Sequence, residues 1–359
     1  MKILYAIQGT GNGHLSRARD IIPILQKKGE VDILISGTQA DVDLPYPITY
    51  QFKGLSFIFG KKGGVDILET YKKSNIRNLF AEINSLPVEK YDIIINDFEP
   101  VSAWACYLKS KECIGLSHQS AVLNKHAPQP KHVDVIGKSI LKNYAPTTAQ
   151  YGFHFNRYDE NIFTPVIRKQ VRELEPQNRG HYTVYLPAYN DKRIIKILSA
   201  FPETKWQVFS KHNKEKIQLN NITICKVDND AFIKSMLNAE GVLCGAGFET
   251  PAEVLFLEKK LMVIPMKGQY EQHCNAAALK AMGIPVIKSL KAKHIDTIKK
   301  WIDAGTITPV DYPDITESII DNILQKHVAS SAVIPATKMV SEKKFRKATL
   351  KKIRSQLGA

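Results

Sequence analysis

Apolar residues in this 359-residue chain gather in short continuous runs, separated by stretches in which they recur at helical spacing. Residues 2–8 (KILYAIQ) form one run, 15–28 carry apolar positions at three- and four-residue steps up to Gly29, and 31–36 form the next run. A buried strand, a helix and a second buried strand make a β-α-β unit, which implies a parallel sheet. The pattern continues with a strand over 91–96 (YDIIIN), a helix over 101–110 and a short strand over 113–116. Between 153 and 180 the alternation breaks, with Pro165 and Pro176 among many charges, and a second series opens at 182–186. It predicts strands over 206–209, 222–225, 241–244 and 261–265, with helices over 230–238 and 250–257. The expectation is an α/β chain with two open sheets, its first domain at 1–160 and its second at 161–340. Ligands of such sheets bind beyond the carboxyl ends of the strands, which predicts a cleft between the domains.

A content of 44% hydrophobic and 24% charged residues is that of a globular protein with enough apolar material for two cores. Cys106, Cys113, Cys225, Cys244 and Cys274 show no zinc-ligand spacing and no disulfide framework, which fits a cytoplasmic location. The apolar run after Lys2 is too short for a signal-peptide core, and no stretch approaches the roughly 18 apolar residues of a membrane span. The formal net charge of +15 suits a polyanion or an anionic lipid surface. Eight basic residues and one acid, Glu342, stand between 338 and 354, while Phe345, Leu350, Ile353 and Leu357 recur at helical intervals. The segment 341–359 therefore reads as a basic helix that either docks its apolar stripe on the protein body or lies on the inner face of a membrane. Segment 125–144 offers a similar choice: Val133, Ile136, Ile140 and Leu141 alternate with Lys125, Lys131, Lys138 and Lys142, as core or as an anionic-lipid contact. Nucleic acid is not an expected partner, because no RNA-recognition, zinc-finger or KH signature is present.

The first run leads into Gly9-Thr10-Gly11-Asn12-Gly13-His14-Leu15-Ser16-Arg17-Ala18. Glycines between a strand and a helix let a ligand or another backbone come close. His14 stands where a dinucleotide fingerprint would have its third glycine, and no acid follows the second strand, so a nicotinamide cofactor is not expected. At a helix start the dipole disfavours an imidazolium, which leaves His14 able to accept a proton. Asp97 ends a strand of the same sheet and is a candidate orienting carboxylate. Asp97 and Glu99 fit equally well as cap and turn residues before Pro100. His118, Gln119 and Ser120 follow the next strand and either line an acceptor pocket or satisfy their own loop.

A second constellation spans 241–287. After the strand ending at Cys244, Gly245-Ala246-Gly247-Phe248 opens a helix whose unpaired N–H groups suit an anion such as a diphosphate, with Glu249 and Thr250 in its first turn. Glu253 lies about a turn further, within reach of both hydroxyls of an attached ribose. Glu271 and Gln272 sit in a polar loop beyond Pro265, before Asn275 enters another helix, and suit a polyhydroxylated ligand.

Taken in order, Gly-x-Gly-x-Gly-His, Gly-x-Gly-Phe-x-Thr-x-x-Glu and Glu-Gln-x-x-Asn-Ala resemble the GT-B-fold glycosyltransferases that use nucleotide sugars. The resemblance spans residues 8 to about 283 and is greatest to the group related to the peptidoglycan lipid-intermediate N-acetylglucosaminyltransferase and the UDP-glucuronosyltransferases. It implies two Rossmann-like domains facing across a cleft, with the C-terminal helix crossing back onto the first. It implies a catalytic base at His14 oriented by Asp97, and donor contacts from Gly11, Gly13, Gly245, Ala246, Gly247, Phe248, Glu249, Thr250, Glu253, Glu271, Gln272 and Asn275. It also implies an acceptor side formed by Glu99, His118, Gln119 and Ser120, and no metal or other cofactor. The activity implied is inverting transfer of a hexose-type sugar from a UDP-linked donor to the hydroxyl of a glycan, lipid or small-molecule acceptor, as in cell-envelope synthesis. Glu271 stands where many relatives have aspartate, and Phe248-Glu249 replace smaller residues, so sugar preference does not carry over. A nucleotide-sugar 2-epimerase of the same fold and a non-catalytic nucleotide-sugar-binding protein are the competing readings.

Overall fold

The structure, a computed structural model, describes residues 1–37, 44–55, 76–213 and 215–328, and the basic segment 341–359 lies outside them. The apolar runs form the expected strands. Strands β1 (Lys2–Gln8), β2 (Glu30–Ser36), β3 (Tyr50–Phe52), β4 (Ile93–Asp97), β5 (Ile114–Leu116), β6 (Ala149–Phe153) and β7 (Ile162–Phe163) make a parallel sheet in the order β3-β2-β1-β4-β5-β6-β7. Strands β8 (His181–Tyr185), β9 (Lys205–Ser210), β10 (Ile217–Leu219), β11 (Ile222–Lys226), β12 (Gly241–Gly245) and β13 (Lys260–Ile264) make the second sheet, ordered β10-β11-β9-β8-β12-β13. Among the described residues only the edge pair β10–β11 is antiparallel. Central strands buried on both faces must be apolar throughout, which is why β1 reads as a continuous run rather than an alternation.

The chain divides into two compact units. The first comprises Met1–Ala127, Val133–Arg168 and the chain from Pro313 onward, and the second Pro128–His132 and Lys169–Tyr312. The division after 160 read from the sequence thus falls at 168, because β7 pairs with β6 and Ile167 is buried in the same body. Residues 313–328, read as part of the second domain, belong to the first. There the helix Thr316–Val328 buries Ile319, Ile320, Ile323 and Leu324. Lys28 lies 3.2 Å from Glu317 and 2.8 Å from Asp321, and His327 Nδ1 is 2.9 Å from Glu112. The chain returns to the first unit through this helix.

Each unit has its own core. In the first, Leu4, Ala6, Leu34 and Ile94 of the sheet pack with Ile83, Val101 and Trp104 of the flanking helices. In the second, Val184, Val208, Leu243 and Met262 pack with Ile194, Leu198 and Trp301. Segment 125–144 departs from a core reading. The helix Val135–Asn143 buries none of its residues, and Val133, Val135 and Ile136 are 45%, 62% and 52% exposed.

Candidate active site

Strands β1, β4 and β5 are sheet neighbours and run the same way, so the segments leaving their carboxyl ends meet at one edge. The glycines after β1 serve two purposes. A side chain on Gly9 would come within 2.8 Å of Ile35, and Gly11, at φ +99°, holds a conformation that other residues rarely adopt. With that turn made, the helix Asn12–Lys28 begins three residues earlier than its apolar periodicity suggests, which puts His14 and Gly13 in its first turn. His14 Nδ1 lies 2.8 Å from Asp97 Oδ1 at the end of β4. Asp97 is fully buried and the His14 side chain is 12% exposed. The amide of Gln119, 5% exposed, comes within 3.4 Å of His14 Nε2 from the segment after β5.

Arg17, which the sequence reading passed over, completes the group. Its Nη2 is 2.8 Å from Oδ1 and 2.7 Å from Oδ2 of Asp97, and the residue is 2% exposed. Burial raises the pKa of Asp97, but the Arg17 guanidinium, with His14, outweighs it and holds the carboxyl below its ordinary value. The signal available in the sequence was spacing alone: Arg17 lies three residues after His14, on the same helical face. Between Asp97 and the next helix, Phe98 adopts a left-handed φ of 57°. Strain of this kind costs about 1–3 kcal/mol and persists only where the surroundings impose it. Here it allows Asp97 to face His14 while Glu99 turns to the following helix. The Phe98 ring lies parallel to the His14 imidazole at 6.4 Å and against Tyr144 at 4.8 Å.

Three residues assigned to the acceptor side have other duties. Glu99 caps the helix Pro100–Lys109: the Val101 and Ser102 N–H groups and the Ser102 hydroxyl each donate to its carboxylate at 2.6 Å. It is fully buried, and that burial raises its pKa despite those bonds, so its oxygens are committed to the fold. His118, 1% exposed, has Nδ1 2.8 Å from the Phe153 carbonyl, which anchors the ring inward. The Ser120 N–H donates to the Ser117 hydroxyl, the cap of that turn, at 3.2 Å. With Asn96, Phe98, Gln119 and Lys142 it lines a polar pocket of ≈ 20 Å³.

In the second unit β12 and β13 are adjacent and parallel, with Gly245 opposite Ile264, so the loops that leave them are neighbours. Gly245-Ala246-Gly247 leads into the helix Glu249–Phe256, capped by Phe248 with no side-chain bond to its first N–H groups. Gly247 needs no left-handed φ, and a methyl group placed on it would meet nothing within 4 Å. Neither backbone conformation nor packing within the unit explains that glycine. Asn275, fully buried, donates from Nδ2 to the Ala246 carbonyl at 3.1 Å and so fixes this loop instead of reaching for a sugar. Gln272 is likewise engaged. Its Oε1 accepts from Met266 N–H at 2.9 Å and its Nε2 donates to Gln269 at 2.7 Å. The helix Tyr270–Ala281 begins ahead of these positions, which places Glu271 and Gln272 in its first turn and Asn275 inside it, not at its entry. Glu253 is 2% exposed, while Glu249, Thr250 and Glu271 are partly exposed. Tyr270 donates to Gln129 at 2.7 Å, which ties Pro128–His132 to this unit. Among the described residues no group of three His, Cys, Asp or Glu side chains is arranged to hold a metal ion, and no helix is long and apolar enough to cross a membrane.

The sequence model of Glycosyl transferase family 1 matches residues 1–304. Solved structures of similar fold include Arabidopsis thaliana UGT89C1 complexed with quercetin, at 10% identity and TM-score 0.54, over 98% of this chain and 99% of that one. A UDP-glucosyltransferase from Polygonum tinctorium gives 10% identity and TM-score 0.54, over 100% and 98% of the two chains. Phytolacca americana UGT2 complexed with UDP-2-fluoro-glucose and pterostilbene gives 12% and 0.53, over the full length of both. No curated protein matches the sequence. At such identities the likeness shows the fold, GT-B, built of two Rossmann-like units. Because the family model matches residues 1–304, most of its length, the chain belongs to Glycosyl transferase family 1.

Proposed function

We propose that this glycosyltransferase inverts the anomeric centre, takes a UDP-linked hexose-type donor and needs no metal. The observation that carries the reading is the 2.8 Å contact of His14 Nδ1 with the buried Asp97 carboxylate. With Nδ1–H held by Asp97, Nε2 is the proton-accepting nitrogen. An acceptor hydroxyl loses its proton to Nε2 as its oxygen attacks the anomeric carbon. The bond from that carbon to the diphosphate breaks, and the leaving charge rests on the N–H groups at Gly247 and the start of the helix Glu249–Phe256. Direct displacement of this kind reverses the configuration. Glu253 and Glu271 are the donor-side carboxylates for ribose and sugar hydroxyls, with Asn275 acting on the loop.

For the acceptor, two of the fold relatives are complexed with small aromatic molecules, quercetin and pterostilbene, which supports a small-molecule acceptor for this chain too. The exposed Val133, Val135 and Ile136, beside the exposed Lys138 and Lys142, favour an acceptor presented at an anionic lipid surface. A thermal-shift panel of nucleoside diphosphate sugars, followed by transfer assays with the stabilising donor, tests the reading. Stabilisation by a UDP-sugar with transfer to a hydroxyl supports it. A new sugar isomer formed from donor alone replaces it with epimerisation, and no stabilisation by any nucleoside diphosphate sugar removes it.

A further inference from the structure

His14 and Arg17 leave the same face of the helix Asn12–Lys28 and turn to one carboxylate. Arg17 Nη2 touches both oxygens of Asp97, at 2.8 and 2.7 Å, and lies 3.3 Å from His14 Nδ1. When Nδ1 carries its proton, both groups are donors, so the 3.3 Å approach is two donors sharing Oδ1 and not a bond between them. The ion pair is almost wholly out of water, at 2% and 0% exposure. Burying a guanidinium carries desolvation costs before any pairing. Those costs mark a position where the charge itself has a use.

We infer that Arg17 is a positioning residue for the base: it fixes Asp97 toward His14 Nδ1 and offsets its charge, so that His14 rests as a neutral imidazole presenting Nε2 to the acceptor. The inference rests on His14 being the base. An ionised carboxylate 2.8 Å from an imidazole, unopposed and buried, draws a proton onto the ring, and a ring protonated on both nitrogens accepts nothing. Arg17 cancels that pull at 2.7 Å from the same carboxylate. Three neighbouring side chains bring no charge of their own. Tyr5 of β1 keeps its phenol neutral, because burial and then the Asp97 charge raise its pKa well above the ordinary value. Gln119 and Phe98 bring an amide and an uncharged ring. During turnover the arrangement reverses its role. Once His14 takes the acceptor's proton, Asp97, already held in place, stabilises the imidazolium without becoming protonated.

The full chain labelled with 15N-histidine reports the tautomer and ionisation of His14 without any substrate, its signal being identified by its loss in His14→Gln. For the native protein at pH 7 the expected result is a ring that carries its proton on Nδ1 alone. For Arg17→Gln we expect a midpoint at least about one pH unit higher, a tenfold gain in proton affinity, and for Arg17→Lys, which keeps the charge but not the fork, an intermediate value. A folded Arg17→Gln protein whose His14 midpoint is unmoved, or a native His14 protonated on Nε2, overturns the inference. If Arg17→Gln does not fold, the native ring decides: a His14 protonated on both nitrogens at pH 7 overturns the inference. The two readings separate cleanly. A His14→Ala protein that transfers sugar at the native rate removes the base assignment itself, whereas an inactive one combined with an unmoved His14 midpoint removes only the role of Arg17.

Discussion

Replacing Asp97 with asparagine removes a charge that both Arg17 and His14 face. Asp97 is fully buried and Arg17 is 2% exposed, so the pair belongs with buried ion pairs, for which loss of one partner costs about 3–5 kcal/mol, and not with surface pairs worth about 0–1 kcal/mol. The asparagine keeps one acceptor oxygen but leaves the guanidinium without its countercharge. With an m-value on the order of 2 kcal/mol/M, the urea midpoint of the first unit falls by about 1.5–2.5 M at pH 7. Hydrogen exchange in β1 and β4 as a function of urea reads that unit separately. The pH dependence supplies a second check. Asp97 titrates below its ordinary value in the folded protein, so the folded form binds fewer protons than the unfolded one in that range. Its contribution is therefore present above about pH 4 and lost as the pH falls through the folded-state value. The gap between native and Asp97→Asn protein closes over the same window. A loss under about 1 kcal/mol at pH 7, or a gap that persists in acid, refutes the buried-pair argument. Adding Arg17→Gln to Asp97→Asn restores part of the lost stability if the cost is the stranded guanidinium.

Other outcomes follow from single residues. His14→Ala lowers the transfer rate by about 10²–10⁴ with donor affinity unchanged, in steady-state kinetics against donor concentration. Gly247→Ala leaves the melting temperature unchanged, since the added methyl meets nothing within 4 Å, yet raises the donor Kd tenfold or more by calorimetry, an order-of-magnitude estimate for blocking one phosphate amide. A Val135→Glu/Ile136→Glu protein remains folded, because both positions are exposed, and loses flotation with vesicles containing anionic lipid; unchanged flotation detaches this surface from the lipid reading.

The sheets and the positions of His14 and Asp97 were legible in the sequence for one reason. Central parallel strands are apolar on both faces, so residues 2–8 and 91–96 announce both the strands and the edge at which they end. What the sequence hid was which polar side chains the fold consumes. Glu99 and Asn275 have the composition of ligand contacts, and only the path of the backbone shows one capping a helix and the other holding the Ala246 carbonyl. Arg17 was obscured by the opposite effect: an arginine on an amphipathic helix ordinarily faces water, and its burial depends on a carboxylate 80 residues away. Strand β7 is two residues long and carries no periodicity, so the end of the first unit was read too early. Residues 133–136 look like core in a linear pattern because hydrophobicity alone does not say whether a partner surface exists.

The most direct test of the account is the anomeric configuration of the first product formed from an α-linked UDP-sugar, read from the proton coupling of the new glycosidic bond by NMR, for the native protein and for His14→Ala. The account predicts a β-linked product from the native enzyme and at most a trace of it from the variant. An α-linked product, or equal rates from the two proteins, contradicts a displacement in which His14 removes the acceptor's proton.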